Sequence, residues 1–394
     1  MVYNFETIEP RYGVGSGKWG EVEKYLPNHD EGIIPFSVAD MEFGTAPEIK
    51  EGLKRYIDTY ALGYANPTGE YLEAVCNWQL RHHYWSIKPE WVLTTPGIVN
   101  AFHMAVTVYT DEGDGVLLMT PCYYPMYNAV VANGRRLVKS PLMLRDGHYE
   151  IDFVDFEKKL KEVKLLILCN PHNPTGRVFT VEELQKLGEL CLKYDVFVCA
   201  DEIHNDLILP GYQHTVFASI SEIFAEHCMT CVSASKTFNL AGLQTAAVII
   251  KNDQVRKQFS SQQKKHEINP KCNILGYEAT RIAYNQCDFW LEVCMKVIDR
   301  NYQIIREFFR TELPDMKWAE LEGTYLLWMD FRDFGIEDKE LAELLRKEAK
   351  LFFDDGYVFG EEGKGFERWN LACPTAYIEE ALPRLKQMLK KHKS

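Results

Sequence analysis

Residues 229–240 read MTCVSASKTFNL, in which a short apolar run, Met229–Val232, leads directly to a lysine set among small hydroxyl residues. An apolar run of this length is typical of a strand in a parallel sheet whose two faces are both covered. A lysine just after such a strand lies where open α/β sheets bind their ligands. Taken alone, Lys236 fits an ordinary surface lysine equally well. Its amine, however, can condense with an aldehyde while the neighbouring hydroxyls contact a phosphate.

The same kind of apolar run recurs through the middle of the chain. The other predicted strands are Gly115–Met119, Lys164–Leu168, Val196–Ala200 and Ala246–Ile250. Predicted helices lie between them at Asn100–Tyr109, Val181–Lys193 and Ser221–Glu226. Thr180 and Glu183 form a capping-box pattern at the start of the second helix. This alternation predicts an α/β fold with right-handed crossovers and a mostly parallel sheet flanked by helices.

The pattern changes near residue 286. It continues with an amphipathic stretch at Phe289–Phe309, an apolar strand at Tyr325–Asp330, and helices near Lys339–Lys350 and Ile378–His392. At 394 residues the chain exceeds the size at which one hydrophobic core keeps growing. We therefore expect a large domain over residues 46–285. Residues 1–45 and 286–394 are expected to form a smaller α+β domain.

Composition excludes several classes of partner. The formal net charge of −13 argues against nucleic acid and against an anionic membrane surface. The apolar runs are too short to span a bilayer, and the N-terminus lacks the apolar core of a signal peptide. Eleven cysteines without a framework spacing favour free thiols in a reducing compartment, so we expect a cytoplasmic protein.

Two short motifs do not support the function that their spacing suggests. Gly13–Lys18 resembles a phosphate loop, but it lacks the earlier glycine, has Trp19 after the lysine, and follows no strand, so we expect a flexible loop. Cys228 and Cys231 have metal-ligand spacing, but no second ligand pair follows. In a buried strand their thiols point to opposite faces. We therefore expect no metal site.

Two other predicted strand ends carry polar groups of complementary chemistry. Asp201 and His204 follow the strand Val196–Ala200, and a carboxylate there can pair with a protonated pyridine nitrogen, although an aspartate in this place is also a common helix N-cap. Asn170–Gly176 follows the strand Lys164–Leu168. Its prolines and glycine fix a turn that can direct an amide toward a bound ring.

A third feature lies near the start of the predicted sheet. Thr95–Asn100 contains a glycine that opens a helix, and the free N–H groups of a helix start can hold a phosphate. Each feature is weak alone. Together with Lys236 they meet separate requirements of one aldehyde cofactor with a pyridine ring and a phosphate.

These features resemble those of fold type I enzymes that use pyridoxal 5'-phosphate (PLP), the aspartate aminotransferase superfamily. The chain resembles more narrowly the MalY/PatB branch of cystathionine β-lyases and cysteine-S-conjugate β-lyases. The resemblance covers essentially the whole chain. The narrower match rests on Val38–Phe43, Gly63-Tyr64, Asp201–His204, Ser233–Asn239 and Arg368–Asn370.

The resemblance implies a role for each matching position around the cofactor. Lys236 would bind PLP covalently and shuttle the proton, and Asp201 would pair with the pyridine nitrogen. Asn173 would donate to the ring hydroxyl oxygen, and Tyr123 would stack on the ring. His204 stands where the superfamily often has a tyrosine near the same oxygen. The phosphate would be held by Gly97, Ile98, Val99, Ser233 and Ser235.

Other roles concern the substrate and a second subunit. Arg368 would grip the α-carboxylate of the amino-acid substrate, with Asn173 and Tyr123 beside it. Tyr64 would reach the phosphate or substrate of the neighbouring subunit, which implies a homodimer. Two positions depart from the family pattern, because Gln244 stands where many aminotransferases have a phosphate-binding arginine and Ser37 where the branch often has a tryptophan.

The resemblance leaves more than one activity open. The leading hypothesis is β-elimination, in which an S-substituted cysteine is cleaved to a thiol, pyruvate and ammonia. The alternative is transamination, which uses the same residues. A third possibility is a regulatory or binding protein that keeps the fold for a partner.

Overall fold

The computed structural model describes residues 3–27, 32–265 and 272–392. The helices are α1 Gly17–Tyr25, α2 Pro47–Thr59, α3 Gly69–His83, α4 Ile98–Tyr109, α5 Tyr124–Val131, α6 Phe153–Leu160, α7 Val181–Lys193, α8 Glu222–Glu226, α9 Ala234–Thr237, α10 Asp253–Lys265, α11 Ile274–Gln286, α12 Asp288–Glu312, α13 Asp338–Leu344 and α14 Thr375–His392. The strands are β1 Ile34–Pro35, β2 Val92–Thr95, β3 Gly115–Thr120, β4 Arg136–Pro141, β5 Met143–Arg145, β6 His148–Glu150, β7 Leu165–Cys169, β8 Phe197–Asp201, β9 Cys228–Val232, β10 Ala246–Ile249, β11 Lys317–Trp318, β12 Leu326–Asp330, β13 Leu351–Phe352, β14 Asp354–Asp355 and β15 Phe366–Asn370.

A seven-stranded sheet in the order β2-β10-β9-β8-β7-β3-β4 carries the larger core. Neighbouring strands are parallel except at β10, which runs antiparallel to both β2 and β9. Alternate residues of β3 enter two different cores. Val116 and Leu118 join one with residues of α4 and α5, while Leu117 and Met119 join the other with residues of α6 and α7. This confirms the predicted α/β fold with helices on both faces.

The two edge strands, β2 and β4, were not predicted. Strand β4 buries only Val138 and Ser140, and its other side chains are partly or fully exposed. An edge strand of this kind does not produce a continuous apolar run, which is why its sequence gives a weak signal. Strand β2 has only four residues.

A second sheet lies in the C-terminal part of the chain. It is antiparallel, in the order β11-β12-β15-β14. The N-terminal segment returns to this region, since β1 pairs in parallel with β13 and Phe36 shares a core with Leu327 and Leu385. The predicted domain boundaries at 45/46 and 285/286 stay a prediction.

Helix α12 connects one core of the larger sheet to the core of the smaller sheet. Its first half contributes Trp290 and Ile298 to the core of the larger sheet, and its second half contributes Ile305 and Phe309 to that of the smaller sheet. The predicted amphipathic stretch is therefore one 25-residue helix. A continuous helix shared by two cores fixes one sheet relative to the other.

Three observations bear on other predictions. The expected loop at Gly13–Lys18 is wrong from Gly17 onward, because α1 begins there and Lys18 is buried against Glu42, with Nζ to Oε1 at 2.8 Å. Cys228 and Cys231 lie in different cores, as predicted, and each of the eleven cysteines is free. No helix within the described ranges is long and apolar enough to cross a membrane.

Candidate active site

A cavity of about 170 Å³ opens at the edge of the large sheet where its parallel strands end. Its walls include residues that follow β2, β3, β7, β8 and β9, and residue Ala39 of the N-terminal segment. The lining residues are Ala39, Pro96, Gly97, Ile98, Val99, Phe102, Tyr123, Cys169, Asn173, Asp201, Ile203, His204, Ser235, Lys236, Ala241 and Gln244. All of the predicted site residues are among them except Tyr64, Ser233 and Arg368.

Lys236 lies in the short helix α9, directly after β9. Its Nζ donates a hydrogen bond to the carbonyl of Ala39 at 2.6 Å, and the Tyr325 hydroxyl donates to the same carbonyl at 2.9 Å. Burial lowers the pKa of Lys236 to about 8, although the charge of Asp40 opposes the shift. A lysine with this pKa is neutral for part of the time near neutral pH, as nucleophilic attack on an aldehyde requires.

Asp201 is the last residue of β8 and only 3% of it is exposed. Its Oδ1 accepts a hydrogen bond from the amide of Ile203 at 3.2 Å, so it also caps the turn that follows. Burial raises the pKa of Asp201 to about 7. A cation that enters the cavity and contacts this carboxylate would favour its charged form.

The turn before α4 brings the backbone N–H groups of a helix start to the cavity. Gly97 caps the helix with φ of +83°, a conformation that favours glycine. The amides of Ile98 and Val99 belong to the first helical turn, which leaves N–H groups without an intrahelical acceptor. Gln244 lines the cavity beside them, and a Cβ on Gly97 would be 3.2 Å from its Oε1. Gln244 thus supplies a neutral amide at this position, where an arginine would supply charge.

The two predicted phosphate hydroxyls differ in position. Ser235 lines the cavity. Ser233 does not, because its Oγ donates to the carbonyl of Thr245 at 2.7 Å and accepts from the amide of Ser235. The two hydroxyls are 2.7 Å apart, so Ser233 is positioned to orient Ser235.

Arg368 reaches the cavity through Asn173. It lies on β15 and is buried, and its Nη1 donates to Oδ1 of Asn173 at 2.8 Å. Its Nη2 and Nε both donate to Oδ2 of Asp354, at 2.5 and 3.2 Å. Asp354 was not predicted, because it is paired with Arg368 only through the antiparallel register of β14 and β15.

The three remaining predicted residues, Tyr123, His204 and Tyr64, differ in burial and in protonation. Burial raises the pKa of Tyr123 to about 12, so its hydroxyl keeps its proton. His204 is 2% exposed, and burial lowers its pKa well below the ordinary value, so the imidazole is neutral. Its Nδ1 has no hydrogen-bond partner among the described residues. Tyr64 is fully exposed and lies away from the cavity of its own chain, and its role in a neighbouring subunit stays a prediction.

The segment that carries Ala39 is held by two asparagines that the sequence did not single out as site residues. Asn370 donates from Nδ2 to the carbonyls of Val38, at 2.8 Å, and of Asp40, at 2.6 Å. Asn239 donates from Nδ2 to the carbonyl of Met41 at 3.0 Å. Val38 adopts φ of +55°, which is costly for a β-branched residue and is maintained by these surroundings. Both asparagines lie in stretches that carry the family resemblance.

Asp206 forms a second unpredicted network behind Lys236. Its carboxylate accepts hydrogen bonds from Trp78 Nε1 at 3.0 Å, His83 Nε2 at 2.8 Å and Thr237 Oγ1 at 2.7 Å. Burial alone would raise the pKa of Asp206, but the hydrogen bond from His83 and those from Thr237 and Trp78 keep it below the ordinary value. The network anchors the turn in which Lys236 lies, since Thr237 is the next residue.

The residues around the cavity fit PLP. Lys236 offers an amine of lowered pKa for the aldehyde, and Asp201 offers a buried carboxylate for the ring nitrogen. The start of α4 and Ser235 offer donors for the phosphate. His204 lines the same cavity with an unpartnered buried nitrogen, which is the kind of group that a ligand satisfies.

Comparison with known proteins agrees with this geometry. The family model for class I and II aminotransferases matches residues 31–385. Cystathionine β-lyase PatB of Bacillus subtilis is 40% identical over 388 residues, 98% of this chain and 100% of PatB. Protein MalY of Escherichia coli is 30% identical over 387 residues, 98% of each chain. The crystal structure of cystalysin from Treponema denticola, which contains PLP, superposes with a TM-score of 0.97 at 44% identity, covering 99% of this chain and 100% of cystalysin. The chain therefore belongs to the class I and II aminotransferase family, in the branch that includes PatB and MalY.

Proposed function

We propose that this protein is a PLP-dependent carbon–sulfur β-lyase. An S-substituted cysteine such as cystathionine, with one water, would give a thiol, pyruvate and ammonia. The proposal is supported by the similarity to PatB over the full length of both chains. The observation that carries it is one cavity that contains Lys236, Asp201 and Asn173, with Arg368 hydrogen-bonded to Asn173.

The substrate would be held through its α-carboxylate. Arg368 and Asn173 form a buried polar pair beside the cavity, and a guanidinium binds a carboxylate with charge-assisted hydrogen bonds. Binding there would orient the Cα–H bond toward the amine of Lys236. Tyr123, on another wall of the cavity, would exclude water from the same region.

Lys236 would remove the proton from Cα. With a pKa of about 8 its amine is partly neutral near neutral pH and can accept a proton. When bound, PLP supplies an electron sink for the charge that develops at Cα. Asp201 would keep a positive charge on the ring nitrogen through its own negative charge, and the Ala39 carbonyl would hold the protonated amine of Lys236.

Assembly and location form part of the proposal. The full exposure of Tyr64 supports a homodimer in which this side chain reaches the cavity of the partner subunit. Free cysteines, of which all but Cys76 are buried, support a reducing compartment such as the cytoplasm.

Transamination is the second candidate, since the matching family model is that of class I and II aminotransferases. Both reactions begin with loss of the Cα proton and use the same residues. They differ in whether a keto acid is required as the second substrate. The test is to incubate the PLP-loaded protein with cystathionine, with and without a keto acid. Sustained pyruvate release without keto acid supports the lyase, and turnover that depends on keto acid contradicts it.

A further inference from the structure

Asp354 and Arg368 form a cross-strand pair beside the site. They are directly opposite in the register of β14 and β15, so their side chains share a face of the sheet. Arg368 is almost wholly buried, while the side chain of Asp354 is 19% exposed. Both hydrogen bonds that Arg368 donates to Asp354 go to Oδ2. Within the described part of the chain, Oδ1 of Asp354 accepts no hydrogen bond.

The carboxylate of Asp354 is linked to the cavity through Arg368, which donates hydrogen bonds both to Asp354 and to Asn173 in the cavity wall. Burial and then the charge of Asp354 raise the pKa of Tyr124, which is 52% exposed. The same charge acts on Tyr123 and on Lys236 inside the cavity. A substrate whose α-carboxylate lies at Arg368 would extend its side chain through this region. Asp354 is therefore near the variable part of the substrate.

The charges around Arg368 do not balance once a substrate is bound. Arg368 carries one positive charge, whereas Asp354 and the α-carboxylate together carry two negative charges. The excess negative charge is shared between the α-carboxylate and Asp354, whose Oδ1 accepts no hydrogen bond from the described residues. Glu21 and Lys24 of α1 also act on Tyr124, and their charges shift its pKa in opposite directions.

We infer that Asp354 is a specificity-determining residue that selects substrates by the charge of their sulfur substituent. Cysteine conjugates with an ammonium group at the far end are favoured, neutral ones are accepted, and those with a carboxylate there are disfavoured. The same repulsion acts against acidic amino acids. This inference rests on the proposed function, because it assumes an amino-acid substrate bound at Arg368.

The test uses three substrates of similar size on the PLP-loaded protein. These are S-(2-aminoethyl)cysteine, S-propylcysteine and S-carboxymethylcysteine, which differ in charge. Asp354→Asn keeps a carbonyl oxygen for Arg368 and removes the charge. We expect the ratio of kcat/KM for the cationic over the anionic substrate to fall about five- to tenfold, the effect of one partly solvated charge. Asp354→Glu, which keeps the charge, should restore most of the ratio.

Glu361→Gln is the matched control. It removes one negative charge from the same region of the chain, but Glu361 is 74% exposed and paired with Lys364. The ratio should not change in this variant. An unchanged ratio in Asp354→Asn overturns the inference. An equal change for all three substrates also overturns it, because it would show that Asp354 only orients Arg368.

A binding measurement separates this inference from the proposed function. Calorimetric titration of the PLP-loaded protein with ornithine, norvaline and glutamate reports charge selection without any β-elimination. If wild-type protein releases no pyruvate from cystathionine or from any of the three cysteine conjugates, the proposed lyase activity fails. The inference then stands if ornithine binds more tightly than glutamate and Asp354→Asn narrows the difference, and it fails if the two bind equally.

Discussion

Arg368 donates a hydrogen bond from Nη1 to Oδ1 of Asn173 at 2.8 Å, and the two residues are 195 positions apart in the chain. The bond joins β15 of the smaller sheet to the turn that follows β7 of the larger one. The group expected to bind the α-carboxylate is therefore fixed relative to the cavity that contains Lys236. The guanidinium of Arg368 is also held in place by burial, since Arg368 is only 2% exposed.

Arg368→Lys should weaken substrate binding. A lysine cannot donate to Asn173 and to a carboxylate in the planar geometry of a guanidinium. Because charged hydrogen bonds contribute about 1.5–3 kcal/mol, we expect KM to rise about tenfold or more. Steady-state kinetics measure the change, with Arg332→Lys, at a half-exposed position paired with Asp330, as the control. An unchanged KM in Arg368→Lys would show that Arg368 does not bind the substrate.

Asp201→Asn should affect the stability of the protein in opposite directions with and without PLP. Without cofactor, burial raises the pKa of Asp201 to about 7 in the folded protein, while the unfolded chain ionises this carboxyl at a pH of about 4. The folded protein therefore loses stability relative to the unfolded chain as the pH rises from about 4 to about 7. Asparagine is neutral at every pH. The cofactor-free variant should therefore have a higher melting temperature than wild type at pH 8, with the difference shrinking toward pH 5.

The PLP-loaded proteins should show the reverse order at pH 8. A ring cation stabilises the charged carboxylate of Asp201 but gains nothing comparable from asparagine. Thermal melts of both proteins, with and without PLP, measure the two differences. The same order of stability in both states would show that Asp201 does not pair with the cofactor.

Thr237→Val should loosen the turn that contains Lys236. The variant removes the donor that lies 2.7 Å from Oδ2 of Asp206 and leaves that buried carboxylate with one fewer hydrogen bond. We expect a loss of about 1–3 kcal/mol in the free energy of unfolding. Thr237→Ser keeps the hydroxyl and should lose much less. Denaturant unfolding compares the two, and equal losses would show that the methyl group of Thr237 contributes as much stability as its hydrogen bond.

Gly276→Ala and Gly20→Ala should have opposite effects, although both glycines lie in helices. A Cβ on Gly276 would be 1.9 Å from Thr245 Oγ1 and 2.9 Å from the carbonyl of Leu243, so we expect a destabilisation of about 1–3 kcal/mol. A Cβ on Gly20 would meet nothing within 4 Å, and alanine should stabilise that helix by about 0.5–1 kcal/mol. Since Leu243 and Thr245 flank Gln244 at the cavity, Gly276→Ala should also weaken PLP binding, which a spectroscopic titration measures.

The sequence predicted the centre of the fold and the chemistry of the cavity, because both depend on local patterns. Buried parallel strands give apolar runs, and the polar groups at their ends, such as Asp201 and Lys236, come together because those ends share one edge of the sheet. The edge strand β4 was missed because half of its side chains face solvent.

The residues that support the cavity could not be predicted in the same way. Asn370 is 332 positions from Val38, whose carbonyl it binds, and Asp206 is 128 positions from Trp78. No periodicity in the sequence relates such pairs. Asp354 was missed for a similar reason, since its pairing with Arg368 depends on the register of two short antiparallel strands. Lys18 gives no sign in the sequence that it is buried.

The most direct test of the central claim is the stoichiometry of thiol and pyruvate released from cystathionine by the PLP-loaded protein without added keto acid. We predict one thiol for each pyruvate, sustained over many turnovers, and no release by Lys236→Ala. Transamination would leave the carbon–sulfur bond intact, so a keto acid that retains its sulfur, with no free thiol, would contradict the account.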